Sequence, residues 1–547
     1  MNEELANLIF PNITKTVEDY ELMYPERKLE DGAKVTRYAP SPTGFIHIGA
    51  LLSSFTANVI ARQSKGVYYL RIEDTDTART VENGVNTIIE GLKEFGVEFD
   101  EGPQTDGTQT GNYGPYVQSE RKEIYHAFIK HLIIKGLAYP CFCTKEEINT
   151  VREHQTETKK RIGYYGKYAK CRNLTTLQAI EKIKNSEDYI IRLKSPGCFD
   201  KKIVINDLIK GKIEMPENDI DVPIMKGDGL PTYHFAHLVD DHLMRTTHIT
   251  RGDEWLPSVP LHIQLFQVFG FKAPNYAHLS PISKTENGTV RKISKRKDPE
   301  AAMSYYHEEG IPEYAVMLYL ATLVNSNFEE WYNANKKANY MDFKFDFKKM
   351  SKSCPLFDND KLNNISKIYI SMQTASDLYE KACTYFKKYD KEFYQIFTND
   401  KNFSINLLNI EREIKKPRKD IAKYKDIKTE FAYMYDELFD SIKEYDFNTI
   451  TDINEIRNII NTYINEYYSD EDTKEEWFNK CKDLSNKLGY ASDMKLYKED
   501  PSKFKGNIAD VTTVIRVALT KKAMTPDLYD LLKLLGKEKI KNRFSKI

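Results

Sequence analysis

The spacing of apolar residues changes along the chain, and the changes mark its parts. Val35, Tyr38 and Ala39 follow a polar stretch, and 35–39 reads as a strand. Pro40, Pro42 and Gly44 then make a turn. From His47 the spacing is helical, with Leu51, Phe55, Val59 and Ile60 as the apolar positions and Gly66 as the stop. A second strand is predicted over 67–72, running into Glu73, Asp74, Thr75 and Asp76. Strand, helix and strand within about 40 residues make a βαβ unit of a parallel sheet. Ligands of such sheets bind beyond the strand C-termini, where 37–41 and 73–76 both fall.

A further strand-and-helix stretch spans 223–271. It holds Tyr233, the apolar run 235–239, Asp240, Asp241 and His242, then a strand that ends near Arg251. The intervening 113–222 carries Cys141, Cys143, Cys171 and many tyrosines, and reads as a domain inserted between two halves of one nucleotide-binding sheet. Later the period is helical: Val511, Val514, Ile515 and Ala518 form one stripe, and Leu528, Leu531, Leu532 and Leu535 another. Both read as bundle cores.

Composition bounds this picture. The chain has 547 residues, 41% of them hydrophobic, with 27 Phe and 36 Tyr. That supplies real cores for about three to five domains and excludes wholesale disorder. Seven cysteines imply no disulfide framework and fit a reducing compartment. Glu3 and Glu4 stand where a signal peptide is basic, and no apolar run is long enough to span a membrane, so a cytoplasmic protein is expected. Lys plus Arg is 80 against 81 Asp plus Glu, which argues against a simple polybasic nucleic-acid binder. The balance is an average over unlike segments. Residues 1–33 are acidic, and read equally as a docked extension or a solvated tail. Basic clusters lie at 291–297, at 415–428 and from 537 onward.

Two elements carry candidate chemistry. His47 and Gly49 follow a Pro/Gly turn at a helix start, where free N–H groups attract phosphate. Gly49 has no side chain, so a base or ribose can pack on its backbone. Lys292, Ser294 and Lys295 lie in the basic loop 291–297, which is suited to neutralising a triphosphate. Each element alone is weak; a solvated loop is the commoner meaning of such a basic run.

Their order is specific. Arg37 with Pro40, Ser41, Pro42, Thr43, Gly44, His47, Ile48 and Gly49 comes first. Then come Arg71, Ile72, Glu73, Asp74, Thr75 and Asp76, next Arg251, Gly252, Asp253, Glu254 and Trp255, and last Lys292, Ile293, Ser294, Lys295 and Arg296. From residue 34 to the C-terminus this closely resembles a class I aminoacyl-tRNA synthetase of the bacterial glutamyl type. Ala50 replaces the second His of the family's HIGH motif, as glutamyl enzymes commonly allow. A literal Lys349, Met350, Ser351, Lys352, Ser353 also occurs. It lies beyond the nucleotide-binding halves, so the KMSKS role is assigned to Lys292–Lys295 instead.

The resemblance implies an α/β fold: a Rossmann-like parallel-sheet catalytic domain split by an α+β insertion, followed by an all-α anticodon-binding region. The expected parts are an extension (1–33), two catalytic halves (34–112 and 223–290), an acceptor-stem insertion (113–222), the basic loop and a helical junction (291–375), and the anticodon-binding part (376–547). Tyr424 and Phe544, beside basic segments in the last part, are expected to stack on unpaired bases.

The resemblance implies ATP-dependent ligation of L-glutamate to the 3′ end of its tRNA. His47, Lys292 and Lys295 take the catalytic role. His47, Gly49, Glu254, Trp255, Lys292, Ser294 and Lys295 form the ATP side, with Mg²⁺ on the triphosphate. Arg37, Ser41, Glu73, Tyr233, His237 and Arg251 form the glutamate side, the two arginines gripping carboxylates. The implied partners are L-glutamate, the glutamate tRNA and, as a second candidate, the glutamine tRNA; a monomer is expected. Cys141, Cys143 and Cys171 suggest a zinc site of the kind some relatives carry, with Tyr165 or Tyr168 nearest for a fourth ligand. Three reduced structural cysteines are the preferred reading.

Four alternatives remain. A truncated relative that modifies a tRNA base lacks the helical half altogether. A glutaminyl-tRNA synthetase shares the catalytic half, but its C-terminal part resembles β-barrels, whereas this one is helical. A small-molecule adenylyltransferase has no need of the long helical part. A non-catalytic tRNA-binding paralogue has no need of intact His47, Lys292 and Lys295.

Overall fold

Residues 1–44, 46–76 and 81–547 are described by a computed structural model. The chain forms two compact units. One comprises Met1–Tyr305 and Met317–Asp358, the other Tyr306–Val316 and Asn359–Ile547.

The first unit is built on parallel strand pairs. Strand β1 (Val35–Tyr38) is followed by helix α1 (Ile48–Gln63) and strand β2 (Val67–Leu70), and Arg37 lies opposite Tyr69 in the parallel register. Leu51, Phe55, Val59 and Ile60 are buried, as the spacing predicts. The return to β2 depends on Gly66. A Cβ there would lie 1.9 Å from the Lys34 carbonyl oxygen, so no other residue fits the close approach.

The insertion has sheets of its own. Strands Ala138–Cys141, Ile190–Leu193 and Pro223–Met225 pair antiparallel, so 223–225 belongs with the insertion strands and not with the parallel ones. Its short apolar run suits either sheet, and only the partner decides. A hairpin follows the middle strand: β3 (Lys202–Asp207) and β4 (Gly211–Pro216).

The chain then re-enters the parallel layer. Run 235–239 lies inside helix α2 (Tyr233–Leu243). Strand β5 (His248–Gly252), helix α3 (Val259–Val268) and strand β6 (Asn275–Leu279) make the second parallel pair, with Arg251 opposite His278. Val35 and Thr247 exchange hydrogen bonds, N–H to Oγ1 at 2.8 Å and N–H to carbonyl at 3.0 Å, which joins the two pairs. The strand C-termini therefore converge, as the βαβ pattern requires.

Residues 1–33 are docked. Leu5, Phe10, Val17, Tyr20 and Tyr24 are buried in the same core as Phe128 and Leu238. Arg27 binds Glu101 through both Nη atoms, at 2.7 and 2.8 Å, beneath Tyr113. The acidic composition hid an apolar face.

The second unit is helical among its described residues. Helices Ile508–Thr520 and Leu528–Leu535 bury the two stripes seen in the sequence. Tyr424 and Phe544 are 7% and 6% exposed and belong to this core. They are therefore not available to stack on bases, which corrects the expectation above; an aromatic beside a basic run can equally be packed inward. Among the described residues, no helix is long and apolar enough to cross a membrane.

Candidate active site

A cleft of about 710 Å³ opens at the C-terminal ends of the parallel strands. Arg37, Ser41, His47, Gly49, Glu73, Tyr233, Arg251, Glu254, Trp255, Lys292 and Lys295 all line it. Ser294 and His237 do not.

His47 caps helix α1. Its Nδ1 accepts the Ala50 amide at 3.1 Å, which leaves Nε2 as the protonated nitrogen of a neutral ring. Burial, with Lys295 and Lys292 nearby, pushes its pKa down to about 4. A Cβ on Gly49 would meet the His47 ring at 3.2 Å, so glycine here leaves the imidazole its room. The helix start thus offers backbone N–H groups and a neutral imidazole donor.

The basic loop follows a hairpin, Ser283–Glu286 with Thr289–Lys292. Asp298 gathers the loop: it accepts two hydrogen bonds from Arg291, at 2.6 and 2.8 Å, and the Ser294 amide at 2.8 Å. The hydrogen bonds from Arg291 hold its carboxyl well below the usual range. Ser294 therefore serves the loop's backbone. Lys292 and Lys295 reach the cleft, with Lys292 Nζ 4.0 Å from Glu254. The literal motif does not reach it. Lys349 and Lys352 line a separate hollow with Thr322 and Met350, and the Lys352 carbonyl is held by Lys210 and Ser280.

The other wall holds two buried arginines. Arg37 is 4% and Arg251 6% exposed. Arg37 Nε lies 3.2 Å from Asp241, which also takes Arg71 at 2.8 Å and His237 Nδ1 at 2.7 Å. Burial alone would raise the Asp241 carboxyl, but Arg37, Arg71 and His237 hold it well below the usual range. Arg251 donates from Nε to His278 at 3.0 Å, and its Nη2 lies 3.2 Å from His262. Its Nη1 is buried with no hydrogen-bond partner. A guanidinium nitrogen left in that state is costly unless a ligand completes it.

His237 is fully buried behind Tyr233, with Nε2 3.4 Å from the Tyr276 hydroxyl. Both of its nitrogens have protein neighbours, so it supports the pocket from behind. Burial pushes its pKa down to about 3 and that of His234 to about 4, which keeps extra positive charge away from the arginines. Burial raises the Glu73 carboxyl to about 7 against the pull of Arg71 and Arg37.

Sequence reading missed the supports: Asp241, Arg71, His262, His278 and Asp207. One signal was present. Asp240 and Asp241 interrupt an apolar helical run, and buried carboxylates need cationic partners.

The three cysteines form a separate cluster in the insertion. The sulfurs of Cys141, Cys143 and Cys171 lie within 4.8 Å of one another. The tyrosine that joins them is Tyr164, its hydroxyl 3.5 Å from Cys141 and 3.3 Å from Cys143. Tyr165 donates instead to the Arg161 carbonyl, and Tyr168 packs on Tyr165. The sequence leaves the fourth donor open between nearby tyrosines, and the one beside the sulfurs is Tyr164, not Tyr165 or Tyr168.

Comparison with known proteins gives a consistent result. The family model described as tRNA synthetases class I (E and Q), catalytic domain, matches residues 34–364. An anticodon binding domain model matches 494–547. A glutamate--tRNA ligase of Clostridium beijerinckii is 48% identical over 546 residues, covering 100% of this chain and 99% of the relative. One from Acetivibrio thermocellus is 44% identical over the same length. A crystal structure of a glutamate tRNA ligase from Elizabethkingia meningosepticum, in complex with its amino acid, superposes with a TM-score of 0.76 at 25% identity, covering 94% of this chain and 98% of that one.

Proposed function

The chain belongs to the class I tRNA synthetases of the glutamate and glutamine type, and from that premise we propose that it ligates L-glutamate to the 3′ end of tRNA, driven by ATP, in the cleft described above. Full-length likeness to glutamate--tRNA ligases and the helical second unit favour glutamate over glutamine. The observation that carries the reading is the cleft's charge arrangement: two buried arginines on one wall, and His47 with Lys292 and Lys295 on the same cavity.

In the first step the α-carboxylate of glutamate attacks the α-phosphorus of ATP. A C–O–P linkage forms, and the bond to pyrophosphate breaks. In the second, the 2′-hydroxyl of the terminal adenosine attacks the acyl carbon, and AMP leaves. No protein nucleophile takes part, so catalysis is positioning and charge stabilisation. Arg37 and Arg251 hold carboxylates, and Glu73 holds the α-ammonium group. Ser41 and Tyr233 offer hydroxyls. His47 donates from Nε2 to phosphate oxygens, and Lys292 and Lys295 neutralise the triphosphate. Glu254, Trp255 and Gly49 border the nucleotide. The donors at the phosphate side are cationic or neutral, which suits Mg²⁺ carried on the phosphates and not in a protein cage.

The insertion is assigned to the acceptor stem and the helical unit to the anticodon end. That unit has a hollow of about 760 Å³ lined by Trp477, Phe478 and Arg516. With Phe478 45% exposed, it offers an unpaired base the stacking face that Tyr424 and Phe544 lack. The thiols of Cys141, Cys143 and Cys171 also supply three of the four donors that a structural zinc ion takes, with the Tyr164 hydroxyl beside them, and such an ion would tie the insertion's loops together.

Arg37→Ala and Arg251→Ala test the glutamate assignment. Each should raise KM for glutamate with little change in KM for ATP. Unchanged glutamate KM in both would contradict it.

A further inference from the structure

Arg251 enters the cleft already gripped along one edge. Its Nε–H donates to His278 Nε2 at 3.0 Å, while Nη1 has no partner. Behind it, His278 Nδ1 lies 2.6 Å from Asp207 Oδ2. The Asp207 carboxylate also accepts the amides of Ile209 at 2.9 Å, Lys210 at 2.8 Å and His278 at 3.1 Å. Asp207 closes strand β3 of the inserted hairpin, and His278 stands on β6 directly opposite Arg251. Neither residue lines the cleft.

This chain has a definite polarity. A carboxylate held among donors only accepts, so the imidazole proton sits on Nδ1. Nε2 is then a lone pair, which the Arg251 Nε–H requires. Burial keeps His278 below the ordinary imidazole range although Asp207 opposes it, so the ring stays neutral.

We propose that Asp207 and His278 are positioning residues for the amino-acid substrate, fixing the Nε edge of Arg251 so that its unpartnered Nη1 is left to the substrate carboxylate. The proposal rests on the assignment of Arg251 to glutamate. It also makes a hairpin of the insertion part of the amino-acid pocket's support.

Tautomer control separates this role from simple packing. Asp207→Asn has almost the same shape, but an amide NH₂ facing the ring drives the proton to Nε2. That sets donor against donor at Arg251. His278→Leu removes the acceptor. His278→Gln restores an acceptor oxygen for Arg251 and an NH₂ for Asp207.

In aminoacylation assays on the full-length protein, Asp207→Asn and His278→Leu should raise KM for glutamate by roughly tenfold or more, the scale of one hydrogen bond to a charged group. KM for ATP should change little, and His278→Gln should recover most of the loss. Glutamate KM unchanged in Asp207→Asn would overturn the proposal, as would equal losses in His278→Leu and His278→Gln or a parallel rise in KM for ATP. Arg251→Ala serves as the control. If it raises glutamate KM while Asp207→Asn and His278→Leu do not, the positioning role fails alone. If it leaves glutamate KM unchanged, the assignment of Arg251 fails first.

Discussion

The carboxylate of Glu73 lies 3.1 Å from the guanidinium of Arg71, and burial still raises its pKa to about 7. Between the ordinary carboxylate range and pH 7, the folded protein keeps a proton that the unfolded chain has released. The stability this group contributes is therefore present at low pH and declines as pH rises through 7. Substrate binding has the opposite sign, because an ammonium group needs the ionised carboxylate. KM for glutamate should fall as pH rises, being roughly tenfold higher at pH 6 than at pH 8. Steady-state kinetics against pH check this, and Glu73→Gln should flatten the profile at a raised KM.

Lys295 lines the cleft, and Lys352 of the literal motif does not. Lys295→Ala should slow adenylate formation by about a hundredfold to a thousandfold, the usual loss on removing a preorganised charge-stabilising group. Lys352→Ala should stay within about threefold of wild type, since its interactions with Lys210 and Ser280 use only the backbone carbonyl. Pyrophosphate exchange with tRNA present measures both; the reverse ranking would move the catalytic loop.

Three sulfurs and the Tyr164 hydroxyl converge in the insertion. Purified protein should hold close to one equivalent of zinc by elemental analysis, and Cys143→Ser should lose most of it. Chelation should lower thermal stability of the wild type more than that of Cys143→Ser. Clearly sub-stoichiometric zinc in freshly purified protein would leave the cluster as reduced structural thiols.

Asp240 is a buried residue of α2 and accepts from Arg121 at 2.7 Å, Gln118 at 2.8 Å and Tyr125 at 2.8 Å. Asp240→Ala strands Arg121 in the core. It should cost about 3–5 kcal/mol, seen as an earlier first transition in thermal unfolding. Arg121 and Asp240 replaced together by Met and Leu should be milder than Asp240→Ala.

The site's first layer was legible in sequence because its residues cluster in short segments at strand ends and a helix cap. His47, Arg37 and Lys292 each carry their context within a few positions. The second layer was not. Asp207 and His278 stand 71 residues apart and meet only after the inserted hairpin folds back on β6. Local pattern says nothing of such a pairing. The cysteine cluster shows the same limit at closer range. Turn geometry aims Tyr164 at the sulfurs and Tyr165 away, though both belong to one run. Phe544 and Tyr424 failed as stacking residues because both pack into the helical core, Phe544 from the last helix and Tyr424 from the turn before Asp426, and the basic residues nearby masked that burial. The docking of 1–33 was half legible: Leu5 and Ile9 have helical spacing, but their apolar partner surface is contributed by 113–222.

The most direct measurement is attachment of labelled L-glutamate to purified glutamate tRNA and glutamine tRNA, with and without ATP. ATP-dependent glutamyl-tRNA should form on the glutamate tRNA, and Lys295→Ala should slow it by about a hundredfold or more. Failure to charge either tRNA with glutamate, or preferential attachment of glutamine, would contradict the proposed function.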